Sequence, residues 1–429
     1  MKYLLIIITL GTLASACNKN KAIVSNAFID SLITNYKPSP TLTQNEEEIN
    51  FWRGRIDTKN FDVVNLSKYA SALTARFKLN GNINDLLLAD SILKSLDKHF
   101  VGKESSYKLL LLNTALLQHQ FIHADSFMQQ AKNVGISAYE TAATAFDVDF
   151  ELGRTTIAAY ELNKIKNYKD YNFLFRNSKM FHYTGNVDSA IANMQAAATI
   201  AGENIPLKQS ALSNTADLYL HDGQLKKAYE LYKQSITLNN TDLHSLMGIG
   251  TITLLQDKND SLAEKIFRFV KLKTNQPDVI FKLTQVALQR GDSISAKKLA
   301  TEFVSKVTKV AYGNMYNKYV IQCYTTILNE PAKAEIIAKR ELETRATPQT
   351  YAWYIWSLLK NNKIADATNV YEKNVSGKPL EGLELYWMGK YMQANNKGYN
   401  AAQFFEKAKK NKYDLTPDYI KDLANMKND

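Results

Sequence analysis

Two histidines, His119 and His123, stand four residues apart, a spacing that can hold a metal ion on one face of a helix. The repeat period described below puts a turn between them, and no third ligand is identifiable, so no metal site is expected. Cys323 sits among Tyr319, Val320 and Ile327, where a buried apolar thiol is expected rather than a nucleophile. The chain carries no Gly-rich phosphate loop, no Gly-x-Ser-x-Gly and no His-Glu-x-x-His. Catalysis needs an acid, base or nucleophile set converging on one place. None is visible, so neither an enzyme nor a bound cofactor is expected. Two chemical features remain. One is Cys17, behind an apolar leader. The other is an aromatic cluster, Trp353 and Trp356 with Tyr386 and Trp387. Aromatics bury large areas at low entropic cost and concentrate at binding hot spots, and they stack on sugar rings.

The leader reads Met1-Lys2, an apolar run from Tyr3 to Leu13, then Ala14-Ser15-Ala16-Cys17. A cationic start, a short apolar core and small residues before a cleavage point describe a secretory signal peptide over 1–16. The run is too short to span a bilayer, which takes about 20 residues. The segment resembles a bacterial lipoprotein signal, although Ala14 stands where Leu is usual. That resemblance implies that Cys17 becomes the acylated first residue, anchoring the chain to a membrane. The residues after it, Asn18-Lys19-Asn20-Lys21, contain no Asp to retain an inner-membrane lipoprotein. They also lack the acidic tether that sends Bacteroidota-type lipoproteins to the cell surface. The resemblance therefore implies the periplasmic face of the outer membrane.

Composition narrows the fold. Only 17 Gly and 8 Pro occur in 429 residues, too few for the many tight turns of a sandwich, barrel or propeller. Two cysteines exclude a disulfide scaffold. The formal charge is +11. No window, however, shows the basic run with interleaved aromatics of a nucleic-acid face, so no nucleic-acid partner is expected. A solvated surface or attraction to anionic headgroups fits the charge better.

The strongest signal is a period. Leu212, Thr215, Ala216, Tyr219, Gly223, Ala228 and Tyr232 recur as Leu246, Ile249, Gly250, Ala263 and Phe267, and again as Leu385, Met388, Gly389, Ala401 and Phe405. Following one small residue gives Ala89, Ala124, Ala158, Ala190, Ala228, Ala263, Ala296, Ala334, Ala367 and Ala401. These span 312 residues in nine steps, a mean near 34.7. Two antiparallel helices approach closely only where one side chain is small. Between the helices, turn residues such as Gly185, Gly223, Gly291 and Asn362 tolerate the positive φ that ends a helix. One such hairpin cannot cover its own apolar face, so neighbours must stack.

This pattern resembles the tetratricopeptide repeat (TPR) over residues 66–415. The resemblance implies an all-α, right-handed solenoid of about ten helical hairpins. Before it, 17–40 reads as a lipidated tether with a short docked helix. Residues 41–65 read as an N-terminal capping helix opened by a capping box at Thr43-Gln44-Asn45-Glu46 and carrying Phe51-Trp52-Arg53. After it, 416–429 reads as a closing helix with its polar side in water. Some bacterial TPR lipoproteins share the Phe-Trp-x-x-Arg start.

In TPR proteins the first helix of each pair lines a concave face. Carrying that frame across places Phe175, Arg176, Lys179, Asn214, Asp217, Phe281, Lys282, Gln285, Trp353, Trp356, Tyr386, Trp387 and Lys390 there. The family's carboxylate clamp is not reproduced, because the unit from Leu246 to Leu255 supplies no Lys or Arg. Two functions compete. One is a lipid-anchored scaffold that binds a protein or peptide in the groove. The other is a glycan-capture lipoprotein, SusD-like, partnering a TonB-dependent transporter. Such proteins break their TPR units with long loops, and the nearly unbroken spacing here favours the scaffold.

Overall fold

The structure is a computed structural model that describes residues 22–396 and 401–426. Cys17 and the leader lie outside the described residues. Two helices precede the array, α1 (Asn26–Thr34) and α2 (Pro40–Arg55). The first five hairpins are α3 (Val63–Asn80) with α4 (Ile83–His99), α5 (Ser105–Leu117) with α6 (Phe121–Val134), α7 (Ala138–Glu151) with α8 (Thr155–Lys164), α9 (Tyr171–Tyr183) with α10 (Val187–Ile200), and α11 (Ile205–His221) with α12 (Leu225–Leu238). The next three are α13 (Leu243–Leu255) with α14 (Asp260–Lys271), α15 (Asp278–Arg290) with α16 (Ser293–Val307), and α17 (Asn317–Gln322) with α18 (Pro331–Thr344). The last two are α19 (Pro348–Lys360) with α20 (Ile364–Asn374) and α21 (Gly382–Asn395) with α22 (Ala401–Lys410). A final helix, α23 (Pro417–Asn425), closes the chain, and the described residues contain no strand. The fold is the expected right-handed, TPR-like α-solenoid.

Each of the ten register alanines falls on the second helix of its hairpin. The first nine are buried to within 1% of full burial, so the spacing read from sequence marks the helix contacts. The first helix complements it with its own small residues. A methyl at Gly250 would stand 2.5 Å from Phe267 Cε1, and one at Gly389 would stand 2.5 Å from Phe405 Cε1. The large ring four residues beyond each alanine fills the space that glycine leaves. Gly223 and Gly291 take φ of +74° and +73° at the hairpin turns, and Asn362 takes +61°. The step from Ala296 to Ala334 is 38 residues. Its extra residues go into a 3-10 turn at Val310–Tyr312 and a π-turn at Cys323–Ile327 that continues α17.

Among the flanking helices, the start of α2 departs from expectation. α2 starts at Pro40, with the Ser39 hydroxyl accepting from the Thr41 amide, not at a Thr43 capping box. Proline at the first helical position needs no donor and presets φ, so the helix begins four residues earlier. α1 lies far along the sequence from its contacts. The amides of Ile23 and Val24 both donate to Asp257 at 2.9 Å, and Lys265 pairs with Asp30. The N-terminal segment is thus bound to the outer side of α12 and α14. α23 closes the array with Lys421, Ala424 and Asn425 exposed on one side. Pro417, Tyr419 and Leu423 are buried, and the helix folds back onto α15.

The array also meets itself. The Asn80 carbonyl accepts from the Thr274 hydroxyl and the Asn275 amide. Arg345 donates to the Glu151 carbonyl at 3.2 Å and pairs with its carboxylate at 2.8 Å. His221 pairs with Asp414. The partners are 194, 194 and 193 residues apart. A constant offset means one superhelical turn takes 194 residues, about 5.6 hairpins at the mean spacing, and the second turn rests on the first. The concave face becomes an interior.

Packing at the close approach gives a stability test. Gly250→Val should lower stability by about 1–3 kcal/mol through overpacking against Phe267, read as a lower urea midpoint. Gly54→Ala, with nothing within 4 Å of the added methyl, should not lower it.

Candidate functional site: the central cavity

First helices face inward, and their side chains line two adjoining cavities of about 300 and 890 Å³ that share His221, Lys318, Tyr319 and Asp414. The smaller is walled by Asp217, His244, Asp278, Phe281, Lys282 and Gln285. The larger is walled by His119, Lys179, His182, Arg345, Trp353 and Glu384 among others. Asp414 reaches the shared wall from the segment between α22 and α23, which the turn-on-turn contact brings across.

The wall is a chain of paired charges. Lys179 and Arg345 both hold the Glu151 carboxylate, at 2.6 and 2.8 Å. Burial works against that charge, but the two cations overcome it and keep the Glu151 pKa low. Lys318 lies between Glu381 at 3.4 Å and Glu384 at 3.3 Å. Glu384 is wholly buried, and its other oxygen has no hydrogen-bond partner. Its pKa rises chiefly through that burial. Asp217 accepts from Tyr232 at 2.5 Å and pairs with His244 at 2.8 Å. Lys282 stands among these groups without an ion pair to any of the described residues. Burial pulls its pKa down, and Asp278, Asp217 and Asp414 only partly hold it up.

Four of the chain's six histidines line the cavities, in two protonation classes. Asp217 raises His244 to about 9 against the cost of burial. Burial also opposes charge on His221, yet the adjacent Asp414 carboxylate outweighs it and lifts the ring to about 9. The His221 side chain is still 39% exposed to cavity water, which blunts the pair's energy. His119 is driven down to about 4 by burial and then by Arg345. His182 is lowered by burial and by the His221 charge. At neutral pH the cavity therefore holds two imidazoliums and two neutral rings.

Six of the thirteen residues assigned to the concave face line these cavities: Lys179, Asp217, Phe281, Lys282, Gln285 and Trp353. The other seven lie elsewhere. Arg176 forms a two-pronged pair with Asp147, and Phe175 packs on Tyr171. The Asn214 amide donates back to the Ser210 carbonyl. Lys390 pairs with Asp422 at 2.7 Å, and Tyr386 donates to the same carboxylate at 2.8 Å. Trp356 and Trp387 stack at 5.4 Å inside the core, and Trp387 is 0% exposed. Their indoles donate to Thr325 and Tyr419. The aromatic cluster is a packing centre that α23 covers. Even Trp353, on the cavity wall, is 5% exposed and donates to Glu384 at 2.7 Å.

His221, Lys318, Arg345, Glu384 and Asp414 went unrecognised in the sequence. Lys318 carries no local signal, because its partners Glu381 and Glu384 lie 63 and 66 residues further along the chain. Cys323 is fully buried, and burial pushes its thiol up to about 12. Among the described residues no group of three His, Cys, Asp or Glu side chains is placed to hold a metal. Nor is any described helix long and apolar enough to cross a membrane.

The class that hairpins and inward first helices define is a TPR-type solenoid. No protein-family profile matches the chain, and no curated protein matches it. Solved structures similar to it include a tetratricopeptide repeat protein from Parabacteroides merdae, at 17% identity, covering 64% of this chain and 99% of that one, with a TM-score of 0.35. The pilF protein of Pseudomonas aeruginosa is 13% identical, covers 50% and 97%, and scores 0.37. A human IFIT1 dimer with PPP-AAAA is 13% identical, covers 88% and 98%, and scores 0.42. At those scores the likenesses carry no argument, and the fold stands on the hairpins themselves.

The His221–Asp414 pair links the two superhelical turns, so it should show in pH dependence. A His raised above its ordinary 6.5 contributes its full stability below 6.5 and loses it as pH climbs through about 9. Urea stability should fall over that window, and His221→Gln should flatten the fall, with His244 supplying the remainder. An unchanged slope in the variant would contradict the pair.

Proposed function

We propose that the chain is a scaffold that takes an extended segment of a partner protein into its central cavity while a lipid at Cys17 holds it on the periplasmic face of the outer membrane. The observation carrying this reading is Lys282. It is an ammonium on the cavity wall, beside Phe281 and Gln285, that no carboxylate among the described residues neutralises within ion-pair distance. An acidic side chain of an incoming segment would supply the missing charge, with Phe281 and Tyr319 as apolar flank. Most of the remaining wall charges are already paired, so they favour a neutral, hydrogen-bonding backbone over a further ion.

The leader supports export and the acylation of Cys17, and the absence of acidic residues after it supports the periplasmic face. The glycan reading receives less support. Trp353, the indole available for sugar stacking at the cavity wall, is committed to Glu384 and almost fully covered.

A photoreactive phenylalanine derivative in place of Gln285 or Tyr319, which leaves the Lys282 ammonium intact, in cells making the full chain, tests this directly. A protein adduct should form at both positions and not at surface position Lys132. A chain that traps no protein at either position but is retained on immobilised glycans would overturn the scaffold reading in favour of the sugar one.

A further inference from the structure

Among the described residues, the contacts nearest the N-terminus are those of Ile23 and Val24 with Asp257. Both carboxylate oxygens of Asp257 are used, by the Ile23 and Val24 amides at 2.9 Å. The Ser25 amide adds a bond to the Tyr229 hydroxyl at 3.2 Å. Val24 and Ile29 are buried, and Phe28 and Tyr36 pack edge-on against Tyr229 and Phe269. The Asn240 side chain donates to the Lys37 carbonyl. The segment from Ile23 to Lys37 is therefore part of the folded body, not a free tether.

Six residue steps separate Cys17 from Ile23. Fully extended they reach at most about 22 Å. If Cys17 carries the lipid, as proposed above, Asp257 cannot lie farther than about that distance from the headgroup layer. An anchor joined to a long flexible arm would leave the body free to tumble. This one does not.

The rim around Asp257 is chemically suited to that position. Lys258 follows Asp257 directly. The Lys412 ammonium is close enough to add to the burial that lowers the Lys258 pKa. Lys412 continues a basic run through Lys407, Lys409 and Lys410 at the end of α22. Tyr413, next in the chain, donates to Gln256 at 2.6 Å, which ties this run to the Asp257 loop. Lys19 and Lys21 lie within the tether itself. Lysines near a bilayer are attracted to anionic lipids over roughly a Debye length.

We infer that the rim formed by the Asp257 loop and the Lys407–Lys412 run is a membrane-facing surface, held against anionic phospholipid headgroups by the short tether. The inference rests on acylation of Cys17 and adds the orientation that acylation imposes. The superhelical period also names the opposite side. Half of 194 residues before Asp257 is Tyr160, which is 64% exposed on α8 and should point away from the bilayer.

The full-length lipoprotein is purified, the mass of its N-terminal peptide is read, and it is placed in vesicles of phosphatidylethanolamine and phosphatidylglycerol containing a headgroup quencher. Environment-sensitive dyes are attached at Ser261→Cys, in the first turn of α14, or at Tyr160→Cys. The buried Cys323 thiol should stay unlabelled. The Ser261 dye should be quenched several-fold more than the Tyr160 dye. Inserting twenty Gly/Ser residues between Lys21 and Ala22 should erase most of that difference while the chain stays on the vesicles. Equal quenching of the two dyes on an acylated chain would overturn the orientation and leave the anchor standing. An unmodified Cys17 in the peptide mass would overturn both.

Discussion

The structure depends on contacts between residues 194 apart. Helical hairpins alone make an open spiral with a groove on its inner side. Here the spiral is tight enough for its second turn to rest on the first, through Asn80 with Thr274, Glu151 with Arg345 and His221 with Asp414. Each contact is small and polar. Their effect is large because each fixes the end of a stack of hairpins whose geometry is set by core packing. Closing the turn converts the groove into a cavity and surrounds its charges with protein. That surrounding separates the four histidines into charged and neutral classes.

The local fold was legible in the sequence because close helix approach tolerates only small side chains. Ala228, Ala263 and the rest of the series sit where their spacing put them, and Gly223 and Asn362 take the positive φ expected of hairpin turns. The superhelical closure was not legible. It arises from a rotation between neighbouring hairpins, accumulated over nearly six of them, and its contacts fall on single polar residues with no period. For the same reason Arg345 and Asp414 drew no notice. They meet Glu151 and His221 only after the turn closes, and Lys318 meets Glu381 and Glu384 only through the stacking of hairpins two units apart.

The aromatic residues show the limit of helical spacing. Trp353 and Trp356 are three residues apart on one helix, so both appear able to face inward. A helix turns 100° per residue, and a modest error in frame moves a ring from the cavity wall into the core. α23 decides the matter, because it folds back to cover Tyr386 and Trp387 with Tyr419. The sequence marked a terminal helix but gave no sign that its buried side would meet α15. The docked N-terminal segment is a similar case. Its helical period was plain, while its site on α14 depends on Asp257 presenting two free oxygens to two amides.

The closure itself is the most direct thing to measure. Spin labels at Asn84→Cys and Asn275→Cys, in a chain with Cys17→Ser, report across the seam between turns. The described packing places them within about 25 Å of each other. An open array would separate them by more than five hairpins, roughly 50 Å at 8–10 Å per helix layer. A distance distribution centred on the shorter value supports the stacked superhelix and its enclosed cavity, and one centred near the longer value would contradict both.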